Sequence, residues 1–336
     1  MVLGGDYRLP LYHGLITQQT IDETINSASY SIDSFNREYR SRWSDSPLGA
    51  VFGTNTISKL RKVKRVELKD KRSEKSDDFY VICADMAKDG EAATSVNIAR
   101  VTPQKYFFTY KIINMLNIDS TDYHVVANRL KELVLDYNAR MLIYDANGIG
   151  AALRDWINKE TITEDGVPLA GLGIINPPKD SEKDLIRYPD DQTIVYEIKS
   201  SGQKGNEIHH FFFSRMSNGS ITFPIKFVDA LELYAKNKTF VDLSQRRKEE
   251  LLAPYRMMDL AEQQFRNLDI VDTSDNLNKG MRIIRRNASI QKDFFSATEY
   301  LVYGVNQYLE MPYYKSKRRK ESTKLDMFMF DGPVRR

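Results

Sequence analysis

A single cysteine, Cys83, leaves no partner for an intramolecular disulfide and excludes a cysteine-rich zinc module. Histidine is scarce as well, with four in the chain and no HExxH pattern. The adjacent His209 and His210 read as helix residues flanking Phe211–Phe213. No GxxxxGK[ST] stretch occurs, so an ATP-hydrolysing P-loop is absent from these residues. The glycines at 148 and 150 sit in GIGAAL, which lacks the third glycine of a dinucleotide fingerprint, and no glycine loop follows the first strand. No apolar run approaches the ~18 residues of a membrane span, and MVLGGDYRLP lacks the apolar core of a signal peptide. Neither feature is expected, which makes the compartment cytosolic by default.

What is present is a chain of 336 residues with 41% hydrophobic and 11% aromatic content, enough for a sizeable core. Net charge is small, at +3, but unevenly placed. From Lys59 to Ser76 there are nine basic and three acidic residues, and from Pro312 to the end eight basic and three acidic. Such runs are ordinarily solvated faces or tails; here they flank a neutral to acidic middle.

The pattern divides the chain into four stretches. Residues 1–58 hold one helical stretch, about Thr20 to Arg42, with Ile21, Ile25, Ile32 and Phe35. Residues 59–76 read as a basic linker, 77–311 as a globular domain, and 312–336 as a basic, flexible tail. Within the globular stretch, Phe79–Asp85, Thr94–Val101 and Lys105–Met115 are strand-like and joined by short connections, which predicts an antiparallel meander. A helix over about Thr121–Tyr137, a strand at Met141–Asp145, a helix over about Ile149–Lys159 and a strand at Leu172–Asn176 follow. Strand, helix, strand, helix, strand after a meander predicts an α/β fold, a mixed sheet with helices on its faces. Thr193–Ile198 reads as strand, Asn206–Met216 as helix, Ser220–Phe223 as strand and Phe227–Lys236 as helix. Arg256–Leu268 and Met281–Arg286 are ambiguous, and Asp293–Leu309 is a final helix with one apolar side.

Two carboxylates stand out by position. Asp85 ends the first strand of the meander and Asp145 ends the fourth strand. If those strands lie side by side and point the same way, both acids reach one end of the sheet. Acids that close repel unless a divalent cation lies between them. The plainer reading is that each caps the turn that follows it. Small residues after Asp145 leave room beside its carboxylate for a ligand. Cys83 lies two residues before Asp85 on the same face and reads as a buried spectator thiol.

The motifs then resemble a known family. Ala84–Gly90 (ADMAKDG), followed by two antiparallel strands and IYDANGIGAALRDWI at 143–157, is similar to the nuclease domain of the large terminase subunit of tailed bacteriophages. IVYEIKS at 194–200, SNGSITFP at 217–224 and KDFFSATEYLVYG at 292–304 follow in the family's order, the last resembling its final acidic motif. Upstream, SIDSFNREYRSRW at 31–43 is similar to the segment that connects the packaging ATPase to the nuclease.

The resemblance implies a ribonuclease-H-like fold, a mixed sheet of antiparallel meander plus parallel strands with helices on both faces. It implies an endonuclease that cuts double-stranded DNA with little sequence specificity during phage genome packaging. On this reading residues 1–58 are a remnant of the ATPase-to-nuclease connection, and the chain looks like a C-terminal fragment. Implied partners are DNA, the portal, the small terminase subunit and the missing ATPase domain, with no membrane. The implied place is the host cytoplasm, transiently at the procapsid portal. Two Mg²⁺ or Mn²⁺ ions about 3.5–4 Å apart would serve phosphodiester hydrolysis, Asp85 bridging them and Asp145 and a third acid completing the shells. Two alternatives remain open: a non-catalytic DNA-clamping or portal-docking module of the same fold, and a junction-resolving nuclease.

The third acid has rivals in Asp259, Asp269, Asp272, Asp275 and Asp293. Asp293 is favoured, since it opens the final helix, where a carboxylate suits the positive end of the dipole. Ala297 and Gly304 on that helix would let it approach the sheet closely. For phosphate contacts the candidates are the basic runs together with Lys279, Arg282, Arg285, Arg286 and Lys292.

Overall fold

In a computed structural model the chain is described over residues 5–26, 35, 38–41, 50–86, 93–147, 150–179, 182–200, 202–273 and 280–316. Two short helices, α1 (Arg8–Tyr12) and α2 (Gln18–Asn26), come first, followed by α3 (Thr54–Leu60) and β1 (Arg61–Val63). The meander is β2 (Phe79–Asp85), β3 (Thr94–Pro103) and β4 (Phe108–Ile118). Then come α4 (Tyr123–Tyr137), β5 (Met141–Asp145), α5 (Gly150–Asn158), β6 (Thr161–Ile162), β7 (Pro168–Leu169), β8 (Gly173–Ile174) and β9 (Thr193–Ile198). The chain continues through α6 (Gly202–Ser217), β10 (Ile221–Pro224), α7 (Phe227–Ala235), α8 (Lys238–Val241), α9 (Gln245–Arg266), β11 (Leu268–Thr273), β12 (Gly280–Arg285) and α10 (Asp293–Val305).

Eight strands form one sheet in the order β1-β10-β4-β3-β2-β5-β9-β8. β2 runs antiparallel to β3 and β3 to β4, whereas β5 lies parallel to β2 and β9 parallel to β5. This is the mixed, ribonuclease-H-like sheet that the sequence predicts. The chemistry of β2 explains its central place: every residue of FYVICAD is buried, as a strand covered on both faces requires. Alternation divides those side chains between two cores. Val81 and Cys83 join Met141 and Ile143 of β5 under α6, α9 and α10. Tyr80, Ile82 and Ala84 join Leu142 and Tyr144 under α4 and α5.

The edges differ from expectation. Residues 59–76 are not a linker: Arg61–Val63 forms an edge strand pairing parallel with β10, and Val63 and Val66 are buried. The basic residue that disguises this strand, Arg61, is itself buried. Its guanidinium is met by Glu262 at 2.6 Å, by Asp259 and by the carbonyl oxygens of Pro224 and Ile225. Upstream, Phe52, Ile57 and Leu60 belong to the main core, so the domain begins well before residue 77. At the other end α10 runs into a π-helical turn, Asn306–Glu310, and helix persists to residue 316. Tyr313 and Tyr314 pack on Phe108 there, so the ordered fold extends past 311. Residues 317–336 lie outside the described residues, as does most of 31–43.

The ambiguous Arg256–Leu268 stretch is the second half of the long helix α9, and Met281–Arg286 is mostly strand β12, paired with β11 in a separate ribbon. Among the described residues no helix is long and apolar enough to cross a membrane.

Candidate metal centre

Asp85 and Asp145 are brought together by strand register. Cys83 pairs with Ile143 and Ala84 with Tyr144, so the next residue of each parallel strand is an aspartate at the same end of the sheet. Alternation puts both carboxylates on the side where Cys83 and Ile143 lie, the side covered by α10. Both are almost fully buried, at 8% and 9% exposure.

Asp293, the first residue of α10 and half-buried, arrives from across the core. Its electrostatic reach is direct. Burial raises the Asp85 carboxyl well above the usual carboxylate range, and the charges of Asp293 and then Asp145 push it further the same way. Lys292 and a hydrogen bond from Ser296 act in the opposite sense. Three carboxylates, one lysine and one hydroxyl therefore share one end of the sheet.

The packing of α10 explains how Asp293 is delivered. Asn97 of β3 donates through Nδ2 to the Phe294 carbonyl at 3.0 Å and to Thr298 Oγ1 at 2.9 Å. The Phe294 amide donates to Gln264 Oε1 at 2.9 Å, satisfying one of the helix's first-turn donors. Farther along, Gly304 rides on β5, where a Cβ would come within 2.8 Å of Ile143 Cδ1. The turn-capping reading of Asp145 also applies, because its Oδ1 accepts from the Asn147 amide at 2.9 Å. Ser200 receives the Asn147 side-chain amide at 3.4 Å and shares a hydrogen bond of 2.7 Å with Tyr300.

Two of the rival acids are engaged elsewhere. Asp259 pairs with Arg61 and accepts from the Phe227 amide, and Asp269 pairs with Arg286. The Asp272 side chain and Asp275 lie outside the described residues. One further acid escaped sequence reasoning. Glu299 is buried in α10, hydrogen-bonded to His209 Nδ1 at 2.7 Å. Its charge, after burial and the charges of Asp85 and Asp145, helps push the Cys83 thiol up. The available signal was a lone charge inside the apolar run FFSATEYLVYG, where a buried carboxylate needs a partner. His209 is that partner, so it does more than flank phenylalanines.

The basic candidates have different surroundings. Arg282 and Arg285 are exposed on β12 of the ribbon that leads into α10. Arg286 is committed to Asp269 through two bonds of 2.7 and 2.6 Å and to the Arg266 carbonyl. Lys292 lies within electrostatic reach of Asp85. Lys279 lies outside the described residues.

Among the described residues no group of three or more His, Cys, Asp or Glu side chains is closed to metal-holding distances. The donor set nonetheless fits a hard divalent cation. It is all carboxylate, Asp85 and Asp145 are buried, and the charges of Asp293 and Asp145 raise the proton affinity of Asp85, a repulsion that a cation among them would relieve.

No family model and no curated protein matches the chain. Among solved structures it is similar to the large terminase nuclease from thermophilic phage G20c with bound magnesium, at 14% identity, covering 74% of this chain and 96% of that one with a TM-score of 0.40. It is also similar to the nuclease domain of the large terminase subunit of bacterial virus Sf6, at 10% identity over 68% and 89% with a TM-score of 0.39. The large terminase from thermophilic bacteriophage D6E matches at 10% identity over 88% of this chain and 53% of that one, with a TM-score of 0.39. At identities this low, the role of each residue is argued from this chain's own geometry.

Proposed function

We propose that this chain is a divalent-metal-dependent DNA endonuclease that acts on double-stranded DNA during phage genome packaging. What supports the reading is that Asp85 and Asp145 end neighbouring parallel strands and that the charges of Asp293 and Asp145 both act on the Asp85 carboxyl. The packaging context rests on the terminase-like motifs and their order along the chain.

Asp85, Asp145 and Asp293 would hold Mg²⁺ or Mn²⁺, two ions in the full reading. A metal bound there would supply Lewis acidity toward the scissile phosphodiester and a water nucleophile near neutral pH. The chain's own residues do the rest. β2 and β5 fix two carboxylates on rigid strands, and α10 fixes the third through Phe294 and Thr298. Lys292 places a positive charge where a phosphate would approach. Arg282 and Arg285 on the adjoining ribbon offer further charge to the DNA backbone, contacts that position without reading sequence. Partners such as the portal, the small subunit and a packaging ATPase belong to the same proposal.

The test is plasmid nicking by the purified full chain. Supercoiled DNA should be relaxed and linearised with Mn²⁺ or Mg²⁺ and stay intact in EDTA. Cleavage that persists in excess chelator would contradict the metal mechanism. Binding without cleavage under every metal tried would favour the DNA-clamping alternative.

A further inference from the structure

Tyr300 stands about two turns along α10 from Asp293 and is almost fully buried. Its hydroxyl does not end in the core. It meets Ser200 Oγ at 2.7 Å, Ser200 Oγ accepts from Asn147 Nδ2 at 3.4 Å, and the Asn147 amide donates to Asp145 Oδ1 at 2.9 Å. The chain of contacts joins the helix that carries Asp293 to the carboxylate of Asp145 through two separate loops. One follows β5 and the other follows β9, strands that are paired at this end through Asp145 and Ile198. Beyond Ser200 the backbone turns into α6 at Gly202, whose φ of +53° suits glycine. Ser200, in the loop after β9, thus touches both the loop after β5 and α10.

We propose that Tyr300 and Ser200 are positioning residues for Asp145, fixing its carboxylate and the loops after β5 and β9 in the orientation that receives a divalent cation. The proposal rests on the reading of the site as a metal-dependent nuclease. The physical need is plain. Asp145 is the last residue of its strand, paired with Ile198 of β9. A carboxylate repelled by its neighbours swings away unless a hydrogen bond holds it, and the bond from Asn147 is only as rigid as the loop that bears Asn147. Ser200 and Tyr300 pin that loop to α10. Tyr300 is suited to the task because it stays a neutral phenol. Burial, followed by the charges of Glu299, Asp145 and Asp85, raises its pKa far above the working range.

The bland alternative is a bond that merely ties α10 to a loop. Metal affinity separates the two, since orienting partners of ligands typically contribute about tenfold or more to it. The experiment titrates Mn²⁺ alone, without DNA, into the full chain and follows free Mn²⁺ by electron paramagnetic resonance. Wild type, Tyr300→Phe, Ser200→Ala and the double variant are compared, with Asp85→Asn and Asp145→Asn as reference. Tyr300→Phe keeps the buried ring, and Ser200→Ala serves should the tyrosine variant fail to fold. Each single variant should bind Mn²⁺ about tenfold more weakly, and the double variant no more weakly than the worse single one, because both break one chain of contacts. Wild-type Mn²⁺ affinity in folded Tyr300→Phe or Ser200→Ala overturns the proposal and leaves the nuclease reading standing. Wild-type protein that binds Mn²⁺ no better than Asp85→Asn sinks the nuclease reading, and the proposal with it.

Discussion

Gly304 of α10 lies against Ile143 of β5 so closely that a Cβ would stand 2.8 Å from Ile143 Cδ1 and 3.4 Å from a Tyr196 ring carbon. Ile143 is two residues before Asp145 on the same face of the same strand. The separation of α10 from the sheet is thus set right beside a proposed ligand. Gly304→Ala gains roughly 1 kcal/mol of helix propensity and can be absorbed by rotation of Ile143. Gly304→Leu has no such outlet, and overpacking of this kind costs about 1–3 kcal/mol. Thermal unfolding should place the alanine variant near wild type and the leucine variant well below it. Cleavage by the leucine variant should fall even at temperatures where it is folded, because Asp293 is displaced with the helix.

The arginines of the β11–β12 ribbon are expected to separate by function. Arg282 and Arg285 are exposed, whereas Arg286 is bound to Asp269. Removing one cation that neutralises a phosphate reduces the slope of log affinity against log salt by about 0.9 for duplex DNA. Arg282→Ala with Arg285→Ala should lower that slope by up to twice this amount without changing sequence preference. Arg286→Ala should leave the slope alone and lower the melting temperature, since it strands the Asp269 carboxylate. Fluorescence-anisotropy titrations in EDTA at several salt concentrations check the slopes, and thermal unfolding checks the stability of the Arg286 variant.

How much of this was legible in the sequence depends on the range of the interaction. β2 and β5 were readable because each is a short apolar run closed by an acid, and their burial is a local property of the run. The helix that opens at Asp293 and its close approach to the sheet were readable from its apolar side and its small residues. β1 was hidden, because Arg61 and Lys62 look like part of a solvated basic run. Glu262 and Asp259, 201 and 198 residues away, together with the carbonyl oxygens of Pro224 and Ile225, make Arg61 an interior residue. Ser200 and Tyr300 likewise meet across 100 residues, and His209 and Glu299 across 90. Nothing in local periodicity marks such contacts. Arg286 illustrates the reverse error, a surface-looking cation whose charge is already engaged by Asp269.

Lys131 gives a pH dependence that is independent of the site. Its side chain is buried between α4 and the end of α5, donating to the Lys159 carbonyl and to Thr161. Burial lowers its pKa from 10.5 to about 8, with Glu160 working against the shift. The folded-state value is below the unfolded one, so the penalty for holding the charge is full below about pH 8. It is relieved as pH rises toward the unfolded value, where the unfolded chain still binds the proton. Urea midpoints of the wild type should therefore rise from about pH 7 to about pH 9.5 relative to those of Lys131→Met. A difference between the two proteins that stays constant over this range would contradict the assignment.

The central claim is that Asp293, and not another acid of the C-terminal third, completes the site with Asp85 and Asp145. The direct measurement is single-turnover cleavage of a plasmid in saturating Mn²⁺ by Asp85→Asn, Asp145→Asn, Asp293→Asn and Asp259→Asn, each first shown to be folded by circular dichroism. The first three should lose most of the wild-type rate, whereas Asp259→Asn, which disturbs the Arg61 pair and the contact with the Phe227 amide, should retain it. Wild-type cleavage by Asp293→Asn, together with loss in Asp259→Asn, would contradict the account and reduce α10 to scaffold.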